Sequence, residues 1–153
     1  MARNTEEERA AAAELCAALL RIHRQLAMED RLTRAHARQL RELVSITLWK
    51  HSEASGKFKG CRYWSTGALG AAKEQLTHEH VHPRSETIDL LLALEDPSHD
   101  KVRRTLDELN IGAVVTKGEH VLLKGIKGCR PNVWERYQIA GVQCVDVWKQ
   151  VDA

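Results

Sequence analysis

The chain has 153 residues, of which 43% are hydrophobic and 29% are charged, and its formal net charge at pH 7 is +2. These values are ordinary for a soluble globular protein and argue against a second independent domain, although they leave room for a helical extension. The sequence has no run of about 20 apolar residues, and it begins with an acidic, then alanine-rich segment. We therefore expect no membrane span and no signal peptide, and we infer a cytoplasmic protein.

The N-terminal segment is predicted to be helical, because residues 2–55 contain neither glycine nor proline. Thr5 and Glu8 have the spacing of a capping box, and apolar residues at helical spacing predict a first helix over residues 6–28. Thr33 is a candidate cap for a second helix. We expect a helical hairpin here; a single helix of more than 40 residues is the alternative, and it would require a partner. In either form, the arm is a candidate homodimer surface.

The middle of the chain combines a loop, a helix and a strand. Residues 51–61 are predicted to form a loop, and Ser65 or Thr66 is expected to cap a short helix over residues 67–75. Alternating and β-branched residues then predict a strand over residues 76–82 that ends at Pro83.

Two helices and a strand are predicted to follow. Ser85 is the expected cap of a helix over residues 85–95, and Ser98 begins another helix that runs to about residue 109. The segment 111–115 has the composition of a short buried strand.

The last part of the chain begins with a second capping box, formed by Thr116 and Glu119, which predicts a helix from Lys117. A further helix is expected over residues 134–140 and a final strand over residues 142–147.

The four cysteines lie far apart in the sequence and form no Cys-x-x-Cys pair. This spacing does not indicate a zinc ribbon or a redox motif. We expect reduced and mostly buried thiols at Cys16, Cys61, Cys129 and Cys144.

The charges are distributed unevenly along the chain. Residues 57–84 hold five Lys or Arg against two acids, and residues 117–136 again hold five against two. The stretch between them, residues 85–110, holds three basic residues against seven acids. A groove built from the two basic segments would suit a polyanion, whereas ordinary solvated faces would produce the same pattern by chance.

Histidines are concentrated in the middle of the chain, with five of the eight between positions 78 and 120. Four of these five lie at the end of the predicted strand 76–82 or in the first turns of the helix that follows the strand 111–115. A polar loop with incidental histidines is the alternative explanation. We favour a site, in which the order strand, strand, helix brings these side chains together.

The residues of this region resemble the HNH, or ββα-metal, nucleases over residues 76–124. That family typically has an acid–His pair, then two further residues and a Pro, and the sequence here is Glu79-His80-Val81-His82-Pro83. The family then has an Asn shortly before its second strand and a His or Asn nine or ten residues further on. Asn110 and His120 occupy those positions.

The resemblance implies a role for each matched residue. His80 would be the general base that takes a proton from the attacking water, because an unperturbed imidazole titrates near neutral pH. Glu79, which replaces the family's usual Asp, and His120 would be metal ligands. Asn110 would hold the strand–loop geometry or orient His80. Because Glu is longer than Asp, His78 or His82 is an alternative ligand.

The cofactor implied by the resemblance is one divalent metal ion, Mg²⁺ or Mn²⁺, with Zn²⁺ or Ni²⁺ as alternatives. Basic and aromatic residues around the predicted site are candidate nucleic-acid contacts, although Trp64 is as well explained as a core residue. These candidates are Lys57, Lys59, Arg62, Tyr63, Trp64, Arg84, Lys117, Lys124, Lys127 and Arg130.

Together, these features predict an α+β protein with a ββα-metal core, additional helices and an N-terminal helical hairpin. Residues 1–55 would form the arm and residues 56–153 the HNH-like domain. The predicted function is metal-dependent hydrolysis of phosphodiester bonds in DNA, in a mobile-element, phage or defence setting by family association. The alternatives are a non-catalytic nucleic-acid-binding regulator or inhibitor, and a helical interaction protein whose histidines bind a structural metal.

Overall fold

The computed structural model describes residues 5–53, 58, 60–127 and 132–151. The first two helices, α1 (Glu6–Met28) and α2 (Arg34–Ser52), pack against each other as a helical hairpin, as the sequence predicts. Thr5 and Thr33 are the N-caps, and each hydroxyl accepts a hydrogen bond from the backbone N–H three residues later. Asp30, in the turn between the two helices, has a left-handed backbone conformation with φ 55°. A right-handed helix cannot continue through such a residue, so the segment forms two helices and not one long helix.

A four-stranded mixed sheet has the order β2-β3-β1-β4. Strand β2 pairs antiparallel with β3, which pairs parallel with β1, and β1 pairs antiparallel with β4. The protein is therefore α+β, as predicted. The strands are β1 (Tyr63–Ser65), β2 (Leu76–His80), β3 (Gly112–Thr116) and β4 (Cys144–Asp146).

The remaining helices lie between and after these strands, and a short 3₁₀ helix, Lys73–Gln75, immediately precedes β2. Among the described residues, no helix is both long and apolar enough to cross a membrane. The helices are α3 (Arg84–Leu92), α4 (His99–Leu109), α5 (Lys117–Lys124), α6 (Glu135–Ala140) and α7 (Val147–Val151).

The region around β1 differs from the prediction. The helix expected over residues 67–75 is instead a turn followed by the 3₁₀ helix, because the Ser65 hydroxyl accepts a hydrogen bond from the N–H of Ala68 and closes a tight turn. Strand β1 was not predicted: it has only three residues, and its pairing with β3 and β4 is formed by segments distant in sequence.

Three element ends also differ from the prediction. Strand β2 ends at His80 rather than at residue 82, and α3 is N-capped by Pro83 without a side-chain hydrogen bond, so Ser85 is not its cap. Strand β4 is shorter than the strand predicted over residues 142–147, and α7 begins directly after it.

The largest buried cluster joins the N-terminal hairpin to α3 and α4. Residues from all four helices, including Leu20, Val44, Leu91 and Leu106, are nearly inaccessible to solvent and pack together. The first core therefore crosses the boundary predicted between residues 55 and 56.

A second cluster packs α5 and α6 against the sheet through Val81, Val115, Leu123 and Tyr137. Strand β2 forms one edge of the sheet, and its two faces meet different neighbours. On one face, His78 and His80 contact Trp49 of α2; on the other, Glu79 contacts α5 and α6. The candidate site lies at the end of this strand.

Candidate active site

The site is positioned by three elements that pack together: the paired strands β2 and β3, and the helix α5. The antiparallel register places Glu79 opposite Ala113 and His80 opposite Gly112. Helix α5 begins directly after β3, because Thr116 is both the last residue of the strand and the N-cap of the helix, in a capping box with Glu119. This short connection places the first turns of α5 over the end of β2.

Glu79 and His120 are brought into contact by this arrangement. The Nδ1 atom of His120 lies 2.5 Å from Oε2 of Glu79, whose side chain is only 8% exposed. The sequence predicted these two residues to share a site, and the structure places them together.

Arg136, on α6, completes the surroundings of the carboxylate. Its guanidinium donates a hydrogen bond of 2.6 Å to Oε1 of Glu79 and one of 2.8 Å to the backbone carbonyl of His80. Sequence reasoning missed this residue, because its local pattern is that of any arginine on a short helix. The only signal was its membership of the basic segment 117–136.

His80 points to the opposite face of β2, as strand alternation predicts. Its ring lies 4.9 Å from the Trp49 ring and 4.8 Å from the ring of His78. Burial, with the nearby Arg84 guanidinium, lowers the pKa of His80 to about 4. Burial also lowers the pKa of His78 well below its usual range, with His80 and Arg84 acting in the same direction. Both rings are therefore neutral at pH 7.

The two alternative ligands do not join Glu79 and His120. His78 lies on the other face of the strand, where its Nε2 is 3.4 Å from Oε1 of Glu53. The chain turns after His80, so His82 leaves the strand pattern and its Nδ1 lies 2.8 Å from the hydroxyl of Thr87. His82 faces a neighbouring cavity of about 440 Å³.

Glu79 and His120 are side-chain types that bind divalent cations, but Nδ1 and Oε2 are hydrogen-bonded to each other at 2.5 Å, closer than two ligands of one cation lie. The two side chains would have to separate to admit an ion. A carboxylate oxygen and an imidazole nitrogen converge there, while Arg136 holds the second carboxylate oxygen, as the outer partners of metal ligands do. Among the residues that the structure describes, no group of three or more His, Cys, Asp or Glu side chains is arranged to hold a metal ion. Water and substrate oxygens would have to supply the other ligands, as is common for Mg²⁺.

Asn110 lies elsewhere, in the buried junction between α4 and α2. Its Nδ2 donates hydrogen bonds to the carbonyl of Leu48 at 2.8 Å and to Nδ1 of His51 at 2.9 Å. His51 in turn binds Asp107 through Nε2 at 3.0 Å. Asn110 thus anchors the end of α2, and no hydrogen bond joins it to His80 in the described part of the chain.

An open cleft of about 810 Å³ is lined by Glu79, His80 and His120, so it reaches the proposed base and two of the proposed metal ligands, but not Asn110. Two of the predicted nucleic-acid contacts, Arg84 and Lys124, line the same cleft. The cleft therefore combines the predicted chemistry with part of the predicted binding surface.

The other predicted contacts are distributed differently. Arg62 and Tyr63 line a separate cavity of about 320 Å³, where Arg62 pairs with Asp146. Trp64 packs in a third core cluster, because β1 is an interior strand. Lys117 is exposed at the start of α5, and Lys127 lines the cavity beside His82. Lys57, Lys59 and Arg130 lie outside the described residues.

No protein-family model matches this chain, and no curated protein or solved structure matches it at a significant level. The side chains of the cleft and their physical chemistry are therefore the evidence for function.

Proposed function

We propose that the protein is a metal-dependent nuclease of the HNH type, which hydrolyses phosphodiester bonds in nucleic acid. The observation that carries the proposal is the contact at 2.5 Å between Glu79 of β2 and His120 of α5, a carboxylate and an imidazole of the types that bind divalent cations, which both line a cleft. Their order in the chain, on strand, strand and helix, is the order implied by the HNH resemblance. DNA is the expected substrate.

Each residue of the site has a role in this proposal. Glu79 and His120 hold the cation, and Arg136 keeps the carboxylate oriented through its hydrogen bond to Oε1. When bound, a divalent cation supplies Lewis-acid stabilisation of the charge that develops on the phosphate and on the leaving oxygen.

His80 is the proposed general base. Its ring lines the cleft and is neutral at pH 7, so it can accept the proton of the water that attacks phosphorus as the bond to the 3′-oxygen breaks. Its pKa of about 4 makes it a weaker base than a free imidazole. Arg84 and Lys124, at the wall of the same cleft, bind the phosphates on either side of the reacting one.

A non-catalytic nucleic-acid-binding protein is the second candidate. One observation favours it: both oxygens of Glu79 already have partners, in His120 and Arg136, which can act as a purely structural ion-pair network. This candidate retains the basic cleft but does not require a cation.

Metal-dependent thermal stability distinguishes the two candidates. At a Mn²⁺ concentration 100-fold above its Kd, binding stabilises the folded protein by about 2.7 kcal/mol, which raises the Tm by roughly 5–10 °C. We expect this shift for the wild type and its loss in His120→Ala. The matched control is His99→Ala, which removes an exposed histidine at the start of α4 and should keep the shift.

The metal proposal is contradicted if Mg²⁺, Mn²⁺, Ni²⁺ and Zn²⁺ all leave the Tm of the wild type unchanged. An equal shift in wild type and His120→Ala would also contradict it, because the cation would then bind elsewhere.

A further inference from the structure

One wall of the cleft is formed by α2, which belongs to the N-terminal hairpin. Arg38, Arg41, Ser45 and Trp49 all line the cleft, and their spacing of three and four residues places them on one face of the helix. At a rise of 1.5 Å per residue, this row extends over about 16 Å. The hairpin therefore contributes directly to the surface around Glu79, a role that the sequence did not indicate.

The charge of the cleft is strongly positive. Arg38, Arg84 and Lys124 line the cleft and form no ion pair with any residue that the structure describes; Arg84 lies over the Trp49 ring. Arg41 pairs with Asp89 at 2.7 Å and also donates to the carbonyl of Ser85. The described cations of the lining are Arg38, Arg41, Arg84, Lys124 and Arg136, against the acids Glu42 and Glu79.

The depth and size of the cleft limit what can enter it. Glu79 is only 8% exposed, so a phosphate must pass below the rim to reach it. The volume of about 810 Å³ lies within the range of small-molecule pockets, roughly 300–1,000 Å³. One backbone of a duplex could reach Glu79 only with its partner strand still paired across grooves about 6 and 12 Å wide, whereas a single strand can enter the cleft alone.

We propose that the substrate enters as a single unpaired strand of nucleic acid, whose backbone follows α2 through contacts with Arg38 and Arg41. This inference rests on the proposed function for the chemistry at Glu79 but concerns binding, which can be measured without cleavage. The strand passes from the α2 row to the scissile position between His120 and His80. Trp49 supports the cleft wall, because its ring packs against His78 and His80 and beneath Arg84, and it is not a stacking platform for bases.

The test measures fluorescence anisotropy of a labelled 20-nucleotide DNA strand and of its duplex, in EDTA so that nothing is cleaved. We expect the wild type to bind the single strand at least tenfold more tightly than the duplex. Arg38→Gln/Arg41→Gln should weaken single-strand binding at least tenfold and reduce the slope of log K against log salt by about 1.4, or about 0.7 for each phosphate contact.

Two further variants make the result interpretable. Loss of the Arg41–Asp89 ion pair could destabilise the double variant, so Arg38→Gln is also tested alone, because it disturbs no described ion pair. It should reduce the slope of log K against log salt by about 0.7. Arg24→Gln/Arg104→Gln removes the same charge from exposed positions of α1 and α4 outside the cleft and should change affinity less than twofold.

The inference is overturned if the duplex binds as tightly as the single strand, or if Arg38→Gln/Arg41→Gln behaves like the Arg24/Arg104 control. Its failure can be told apart from that of the proposed function. Absence of cleavage with the expected binding pattern overturns only the nuclease proposal. Cleavage by the wild type with no effect of the α2 arginines overturns only the single-strand inference.

Discussion

Replacing His80 with alanine should lower the rate of phosphodiester cleavage by about 10²- to 10⁴-fold, the usual contribution of a general base. Replacing His120 with alanine should lower the rate at least as much, because it removes one of the two protein ligands of the cation. The two variants should differ in their response to metal. Raising the metal concentration should partly restore His120→Ala but leave His80→Ala unchanged.

The rates are to be measured under single-turnover conditions on a labelled DNA strand, with Mn²⁺ varied for each variant. His80→Gln is a second variant that fills more of the space beside Trp49, so that loss of packing is separated from loss of the base. His99→Ala is the control for removal of an exposed histidine. The assignment of His80 would be wrong if His80→Ala kept more than a tenth of the wild-type rate.

Loss of Arg136 is predicted to have the largest effect on stability. Arg136→Ala leaves the buried Oε1 of Glu79 without its guanidinium partner, with His120 still bonded to Oε2, and breaking one side of a buried ion pair costs about 3–5 kcal/mol. The free energy of unfolding, measured in urea, should fall by that amount. The double variant Glu79→Gln/Arg136→Met should lose less than Arg136→Ala alone, since it leaves no uncompensated charge.

Arg104→Ala is the matched control for this experiment, because Arg104 is exposed on α4 and its loss should change stability by no more than about 0.5 kcal/mol. A cost below about 1 kcal/mol for Arg136→Ala would contradict the proposed coupling between Arg136 and the buried carboxylate.

Helix starts were the most predictable part of the fold, because a cap is a local signal. Thr5, Thr33, Ser98 and Thr116 each accept a hydrogen bond from the N–H three residues later, and all four were identified as caps from the sequence. Ser85 failed as a cap because α3 begins one residue earlier, after Pro83.

Elements that depend on distant partners were less predictable. Strand β1 has three residues and is held by β3 and β4, which lie about 50 and 80 residues further along the chain. The predicted helix after it failed for a related reason, since the Ser65 hydroxyl closes a turn and also donates to Glu119 of α5.

In the candidate site, too, the features set by local sequence were predicted and those set by distant contacts were not. The proximity of Glu79 and His120 followed from the order of two strands and a helix and from a capping box. The contributions of Arg136 and of the α2 row could not be predicted, because α6 and α2 reach the end of β2 only through tertiary packing. The position of His82 depended on where β2 ends, and strand ends are set by pairing with β3 rather than by local composition.

The central claim is that this cleft hydrolyses phosphodiester bonds with a metal held by Glu79 and His120. The most direct test incubates the purified 153-residue protein with single-stranded DNA, duplex DNA and RNA, in Mg²⁺, Mn²⁺, Ni²⁺ or Zn²⁺, and analyses the products by gel electrophoresis. We predict cleavage that requires a divalent metal, stops in EDTA and is lost in His120→Ala but not in His99→Ala. Intact substrates in every metal, with a folded wild-type protein, would contradict the nuclease proposal and favour the non-catalytic nucleic-acid-binding protein.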